Sequence, residues 1–455
     1  MTDLADLDIE GAGRAIAAGE LSAVELTEAC LGRATLLEGD VKAFTLLDGA
    51  GALRQARALD DERARGDTRG PLHGIPLCIK DLIDVEGLPT TASSRVLRDN
   101  IARTDAPVVA RLRAAGGIIV GKTNTQEFAY GVVTAPTVNP WDRDRIPGGS
   151  SGGSAAAIAA GMSLGGVGTD TAGSIRIPSA LCGISGLKPR PGIVSLEGII
   201  PLAPSLDACG PMARTASDLG VLLDAMTEVA RERVDATRLR VALPDDVEVA
   251  AADPEVAAAV ADATRVLSDN GLTTVEVSLP SFEEWDVPRS LPLMLEALEV
   301  HRSRNWYPDK QELYTEETLG SLRYAETVGA AKISDAARRL SELKSALVAV
   351  FERADVLVLP ATQGAAPTVA EAMNKDGGHR TPVVRRLTRL CGPMNVCGLA
   401  AASVPCGFSS DGLPIGLQLV GREESAVLAV AEHYQSLTEW HERRPSADRF
   451  GSTRS

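Results

Sequence analysis

Apolar positions along this chain switch repeatedly between a helical period and short strand-like runs, and each switch marks an element. Residues Ile9–Ala17 repeat at helical spacing, and Ser22-Ala-Val-Glu25 has the form of a capping box opening a second amphipathic helix through about Leu37. Phe44–Leu47 predicts a short strand, Ala50–Arg65 a polar-faced helix, and Gly74–Asp81 (GIPLCIKD) a brief strand ending in a lysine. Asp105, with Pro107 in the first turn, is expected to cap a helix to Ala115, ahead of a β-branched strand at Gly117–Val120.

The stretch Pro147–Pro178 breaks the rhythm. It carries no charge between Pro147 and Asp170 and is dense in Gly, Ala and Ser. Its alanine-rich run Ser154–Ala160 predicts a short helix and Leu164–Val167 a buried strand, so it is read as a packed centre with a serine-bearing turn at each end. Lys188–Pro211, rich in Pro and Gly, is expected to run as irregular chain. Arg238–Leu243 and Leu272–Leu279 predict strands around the helix Pro254–Ser268.

From Ser281 to Val350 the pattern turns helical and carries Trp285, Trp306, Tyr307 and Tyr314; this insertion either caps a cleft or forms a helical subdomain. Val356–Leu359, Ala401–Pro405 and Ile415–Val420 predict strands, Thr362–His379 a loop, Ala426–Glu439 a closing helix and Arg443–Ser455 a frayed polar tail. Strand and helix alternate without a repeat or a linker. The expectation is one large α/β domain over residues 1–455 with a mixed sheet.

Composition narrows the function classes. The 455 residues are 44% hydrophobic and 24% charged, an ordinary globular balance. No apolar run approaches the ~18 residues that cross a bilayer, and the acidic opening MTDLADLDIEG is unlike a signal peptide, so the cytoplasm is the expected location. A net charge of −15 argues against nucleic acid and anionic membrane as partners. The seven cysteines lack CxxC spacing and read as reduced core residues, and the five histidines are scattered, so neither a metal nor a cofactor is expected.

Three motifs compete for the chemistry. Gly116–Thr123 matches a phosphate loop letter for letter, but its Ile118, Ile119 and Val120 are themselves a strand, which ties up the amides a phosphate would need. Gly148–Gly152 matches a nucleophile elbow, yet the charged, proline-ending WDRDRIP precedes it in place of a buried strand. The third reading joins Lys80 at a strand end, Ser150 in the GGSSGGS turn and Ser174 in GTDTAGSIRIP. Singly these are ordinary residues: a surface lysine, a turn serine, a helix cap. Together and in this order they resemble the amidase signature family. PLHGIPLCIKD, GKTNTQEFAYG, CGISGLKP, Val358–Pro367 and Ser403–Val420 extend the likeness over nearly the whole chain.

The resemblance implies a single α/β domain whose mixed, mostly parallel β-sheet is covered by helices on both faces. It implies hydrolysis of a linear carboxamide through an acyl-enzyme on Ser174, with Lys80 as base, Ser150 as proton relay and a cis bond between Gly149 and Ser150. Lys80 would serve as a base once burial removes its charge. The oxyanion donors would be the amides of Thr171, Ala172, Gly173 and Ser174, Ala172 standing where relatives often have Gly. Asp170 and Arg176 are expected to brace the site; Tyr130 and Ser151 are candidates to touch substrate, a core role being equally open for Tyr130. The expected partners are a small amide and water, with a homodimer left open. The alternative reading is the glutamine-hydrolysing component of a tRNA-dependent amidotransferase; Phe128–Pro140 is shorter than the Ser- and Asn-rich stretch typical of that component.

Overall fold

Eleven strands form one sheet in the order β1-β3-β2-β4-β6-β5-β10-β11-β9-β7-β8. They are β1 (Phe44–Leu47), β2 (Pro76–Lys80), β3 (Ile118–Thr123), β4 (Gly165–Asp170), β5 (Ser185–Lys188), β6 (Ala208–Ala213), β7 (Arg240–Pro244), β8 (Thr273–Val277), β9 (Val356–Pro360), β10 (Ala400–Phe408) and β11 (Pro414–Gly421). The computed structural model describes residues 3–228, 231–244, 252–373 and 382–446. The α/β domain with a mixed sheet stands as expected. Pairing is parallel in two blocks, β3-β2-β4 and β9-β7-β8. It is antiparallel at β1-β3 and through the middle of the sheet, β4-β6-β5-β10-β11-β9.

Both faces of the sheet are covered, and the period-two alternation of the strands shows how. On β2, Leu77 and Ile79 join one hydrophobic cluster with Ile9, Leu112 and Leu219, while Cys78 between them joins another with Leu37, Ala52 and Ile158. The helix Gly152–Ala159 is buried along its whole length, which suits its composition: every residue but Ile158 is Gly, Ala or Ser, small enough to let it lie close to its neighbours. The capping box forms, with the Glu25 amide donating to Ser22 Oγ at 3.1 Å and the Ser22 amide to Glu25 Oε2 at 2.9 Å. Ser281–Val350 is helical, in segments Ser290–Ser303, Glu316–Glu326 and Ala330–Ala349. No helix among the described residues is long and apolar enough to cross a membrane.

Three expectations change. The end of Lys188–Pro211 leads into β6, a central strand of sequence ACGPMA bonded to both β4 and β5. Its Pro and Gly read as breakers in sequence, yet Gly210 is needed because a Cβ there would meet the Leu187 carbonyl at 2.1 Å. Asp105 is not the helix cap: Ala106 holds that place, and the Asp105 carboxylate accepts from the Glu86 amide at 2.8 Å and pairs with Arg113. Within Thr362–His379, Val369–Met373 forms a helix, and residues 374–379 lie outside the described residues. The expected tail is described only to residue 446, where Arg443 lies over the Phe408 ring at 4.5 Å.

Candidate active site

The strand order brings β2 and β4 side by side, and with them the three segments singled out in sequence. Lys80 ends β2, fully buried, and its Nζ donates to Ser150 Oγ at 2.7 Å, Thr169 Oγ1 at 2.8 Å and Ser151 Oγ at 2.9 Å. Ser150 and Ser151 lie in the turn before the buried helix, and Thr169 is on β4. The peptide bond between Gly149 and Ser150 is cis. Burial pushes the Lys80 ammonium down to about 7, against the opposing pull of Asp170, Asp207 and Cys209. At neutral pH this group is therefore poised between ammonium and free amine.

Ser174 sits where β4 runs out into the turn ahead of the helix Arg176–Cys182. The carbonyl of Ser174 accepts from the Ser151 amide at 3.1 Å, which fastens the two serine turns together. Asp170 and Arg176 hold the Ser174 turn from beneath. Both are fully buried and doubly bonded, Nε to Oδ2 at 3.1 Å and Nη2 to Oδ1 at 2.9 Å. Asp170 also accepts from the amides of Gly173 at 2.8 Å and Ile175 at 3.1 Å, while Arg176 reaches the Cys391 carbonyl, Gln418 and Asn395. Burial alone would raise the Asp170 carboxyl, but the Arg176 guanidinium, then Lys188 and Asn395, hold it well below the usual carboxylate range.

The four expected oxyanion donors separate in the structure. Thr171, Ala172 and Ser174 line a cavity of about 320 Å³, and their amides have no protein partner among the described residues. The Gly173 amide is already donated to Asp170, and its residue is turned away from the cavity at φ +117°. Ala172 takes no positive φ, so the Ala in place of Gly is unstrained. The Ser151 hydroxyl accepts from Lys80 Nζ and donates to the Thr169 carbonyl, and Ser151 is outside the lining of this cavity. Tyr130 does line it and is at the same time part of a hydrophobic cluster.

Sequence reading missed much of the cavity wall. Ser93, Gln126, Glu127 and Ala129 line one side, and Leu293, Thr315 and Glu317 come from the helical insertion, which therefore reaches the cleft. Glu127 joins the two sides, accepting from Ser94 Oγ at 2.7 Å and from the Thr315 hydroxyl and amide at 2.6 and 2.9 Å. The available signal was GKTNTQEFAYG itself, whose Phe128 and Ala129 adopt left-handed backbone at φ 51° and 60°. For residues that are neither Gly nor Asn, such angles concentrate where function constrains the chain.

Known proteins resemble this chain over most of its length. Residues 25–428 match the amidase family. A glutamyl-tRNA(Gln) amidotransferase subunit of Chloroflexus aggregans is 39% identical over 99% of this chain and 100% of its own. Among solved structures, an amidase crystal structure superposes with a TM-score of 0.85 at 33% identity, over 94% of this chain and 99% of that one. The corresponding glutamyl-tRNA(Gln) amidotransferase subunit of Thermotoga maritima superposes with a TM-score of 0.75 at 29% identity, over 95% and 94%. These relatives overturn the expected partners. A small amide and water as sole partners, with nucleic acid excluded, does not fit proteins named as subunits of an enzyme of glutamyl-tRNA(Gln). The charge argument failed because −15 is a sum over the whole chain; it describes neither a local surface nor a companion subunit.

Proposed function

This chain belongs to the amidase family, enzymes that hydrolyse carbon–nitrogen bonds other than peptide bonds, and from that premise we propose that it cleaves a carboxamide through an acyl-enzyme on Ser174. The observation that carries the reading is the buried Lys80 bonded to Ser150 at 2.7 Å beside the Ser174 turn. Free-amine Lys80 takes a proton from Ser150, which takes one from Ser174 as its Oγ attacks the carbonyl carbon. The oxyanion that forms is met by the amides of Thr171, Ala172 and Ser174 at the N-terminal side of a helix. The relay returns the proton to the leaving nitrogen, the C–N bond breaks, and water then attacks the ester by the same path in reverse. Asp170, Arg176 and Gly149 hold the two turns; Tyr130 is a substrate contact. Seven unpaired cysteines suit a reducing compartment, so the cytoplasm is the proposed setting.

The sequence relatives favour glutamine as the amide, with the ammonia released inside a complex with partner subunits, as their name, amidotransferase subunit, indicates for them. A second reading, free-standing hydrolysis of a small amide, has its own support. The superposition on the amidase is better than on the Thermotoga protein, and the Chloroflexus alignment spans 497 positions against 455 residues here, so that relative carries segments this chain lacks.

One experiment separates them: ammonia release from glutamine and from a panel of alkyl and aryl amides, by the purified chain with and without amidotransferase partner subunits, alongside Ser174→Ala. Glutamine turnover that requires the partners supports the amidotransferase reading; turnover of a panel amide by the chain alone supports the free-standing one. Activity surviving in Ser174→Ala rejects the acyl-enzyme in both.

A further inference from the structure

Asp207 stands immediately before β6 and has no part in the relay from Lys80 to Ser174, yet its carboxylate is fully engaged at the edge of the site. Oδ1 accepts the Thr171 hydroxyl at 2.5 Å, and Oδ2 accepts the amides of Leu202 at 2.9 Å and Ala203 at 3.1 Å. Thr171 carries one of the three unbonded amides, and Leu202 lines the same cavity. One buried carboxylate thus ties the oxyanion turn to the loop that walls the cleft. Behind it lies a second cavity of about 360 Å³, walled by Leu82, Thr169, Thr171, Leu202, Asp207 and Arg304.

The charge of Asp207 also reaches the base. Lys80 faces three groups that favour its ammonium form, Asp170, Asp207 and Cys209. Of the two carboxylates, Asp170 is matched by the doubly bonded Arg176, so its field at Lys80 is largely cancelled. Asp207 has no such guanidinium on its oxygens among the described residues. Burial pushes its own carboxyl up to about 6, against the Thr171 hydroxyl, the two amides and Lys80, which pull it down. Glu197 and Arg304, across the second cavity, are the other charged groups on its wall.

Resting on the acyl-enzyme reading above, we propose that Asp207 is a positioning residue with two effects: it holds the Thr171 amide aimed at the oxyanion site, and, with no guanidinium on its oxygens among the described residues, it keeps an uncompensated negative charge on the Lys80 side of the site. The two effects are separable. Thr171→Val removes the hydroxyl link and leaves the charge; Asp207→Asn removes the charge while its amide oxygen can still accept the Leu202 and Ala203 amides and its NH₂ can donate to Thr171 Oγ.

The test follows phosphonylation of Ser174 by a fluorophosphonate, a single-turnover probe that needs no knowledge of the natural amide, by intact-protein mass as a function of pH on the full chain. Thr171→Val is expected to lower kinact by about ten-fold or more while KI stays within about two-fold, with the pH profile unmoved. Asp207→Asn is expected to move the rising limb to lower pH, because a lysine that has lost a nearby negative charge gives up its proton more readily. Unchanged kinact in Thr171→Val, or an unmoved limb in Asp207→Asn, overturns the proposal. Thr171→Val keeps the test decisive even if Asp207→Asn fails to fold. Failure of the wild-type chain to label at Ser174 overturns instead the reading on which this one rests, so the two failures are distinguishable.

Discussion

Lys80 Nζ lies 2.7 Å from Ser150 Oγ, although 70 residues separate the two in sequence, and both are fully buried. The partners of this buried lysine are three neutral hydroxyls and, at 3.5 Å, the Thr169 carbonyl; with no carboxylate touching it directly among the described residues, burial favours the free amine.

The first consequence is a pH profile. With the Lys80 amine pushed down to about 7, activity should rise as pH climbs through about 7 and level off above it, whereas an unburied lysine would put the rise near its ordinary value of 10.5. Lys80→Ala should lower kcat by about 10³-fold or more and abolish this limb. A rate measured from pH 5 to 9 checks both; a wild-type profile flat across that range contradicts the base assignment.

The same burial affects stability. Between about 7 and 10.5 the unfolded lysine still holds a proton that the folded one has released, so the unfolded state binds more protons and stability rises with pH across that window. Lys188, also fully buried and pushed down to about 7, donates to the Pro189 carbonyl at 2.9 Å and adds to the same trend. Lys188→Met should therefore stabilise the fold at pH 6 by roughly 1–3 kcal/mol, seen as a higher urea midpoint.

Breaking the brace under the Ser174 turn should do the opposite. Arg176→Met leaves the Asp170 carboxylate buried without its guanidinium, at a cost of about 3–5 kcal/mol measurable by denaturant unfolding. Because the folded Asp170 carboxyl is held below its unfolded value, its contribution is present at neutral pH and is lost as pH falls below the ordinary carboxylate range. The wild-type chain should lose this stability in acid, and Arg176→Met should lose less.

Gly173 tests the turn itself. A Cβ there would meet Cys391 Cβ at 2.6 Å and Ile177 Cδ1 at 2.8 Å, on a backbone at φ +117°. Gly173→Ala should cost about 1–3 kcal/mol and shift the flanking amides of Ala172 and Ser174, so kcat should fall more than KM rises. A variant with wild-type kcat would show that the turn tolerates the displacement.

Phe128 tests the far wall. Its ring packs on His301 at 4.5 Å, Trp306 at 5.1 Å and Tyr314 at 5.6 Å, locking the insertion to the segment that carries Ala129 and Tyr130. Phe128→Ala should destabilise by about 3–5 kcal/mol and raise KM more than it lowers kcat, because it loosens the substrate wall and leaves the relay intact.

The local grammar of this protein is legible in its residues alone: the capping box at Ser22, the lysine-terminated strand at Lys80, the two serine turns of Pro147–Pro178 and the absence of a workable phosphate loop at Gly116–Thr123. These depend on residues close together in the chain, where propensity and spacing act directly. How the segments meet belongs to the fold. The placement of β6 in the middle of the sheet, against its own Pro and Gly, depends on neighbours β4 and β5 that no local rule supplies. So does the fate of individual polar groups: that the Gly173 amide goes to Asp170, that Ser151 turns to Lys80, and that Asp207 grips Thr171. Pro147–Pro178 holds the proposed nucleophile Ser174 and the proposed relay Ser150, but hydrogen-bond partners and burial are properties of surfaces brought together by folding. The lowered proton affinity of Lys80 is one of them, since it comes from burial by other segments of the chain.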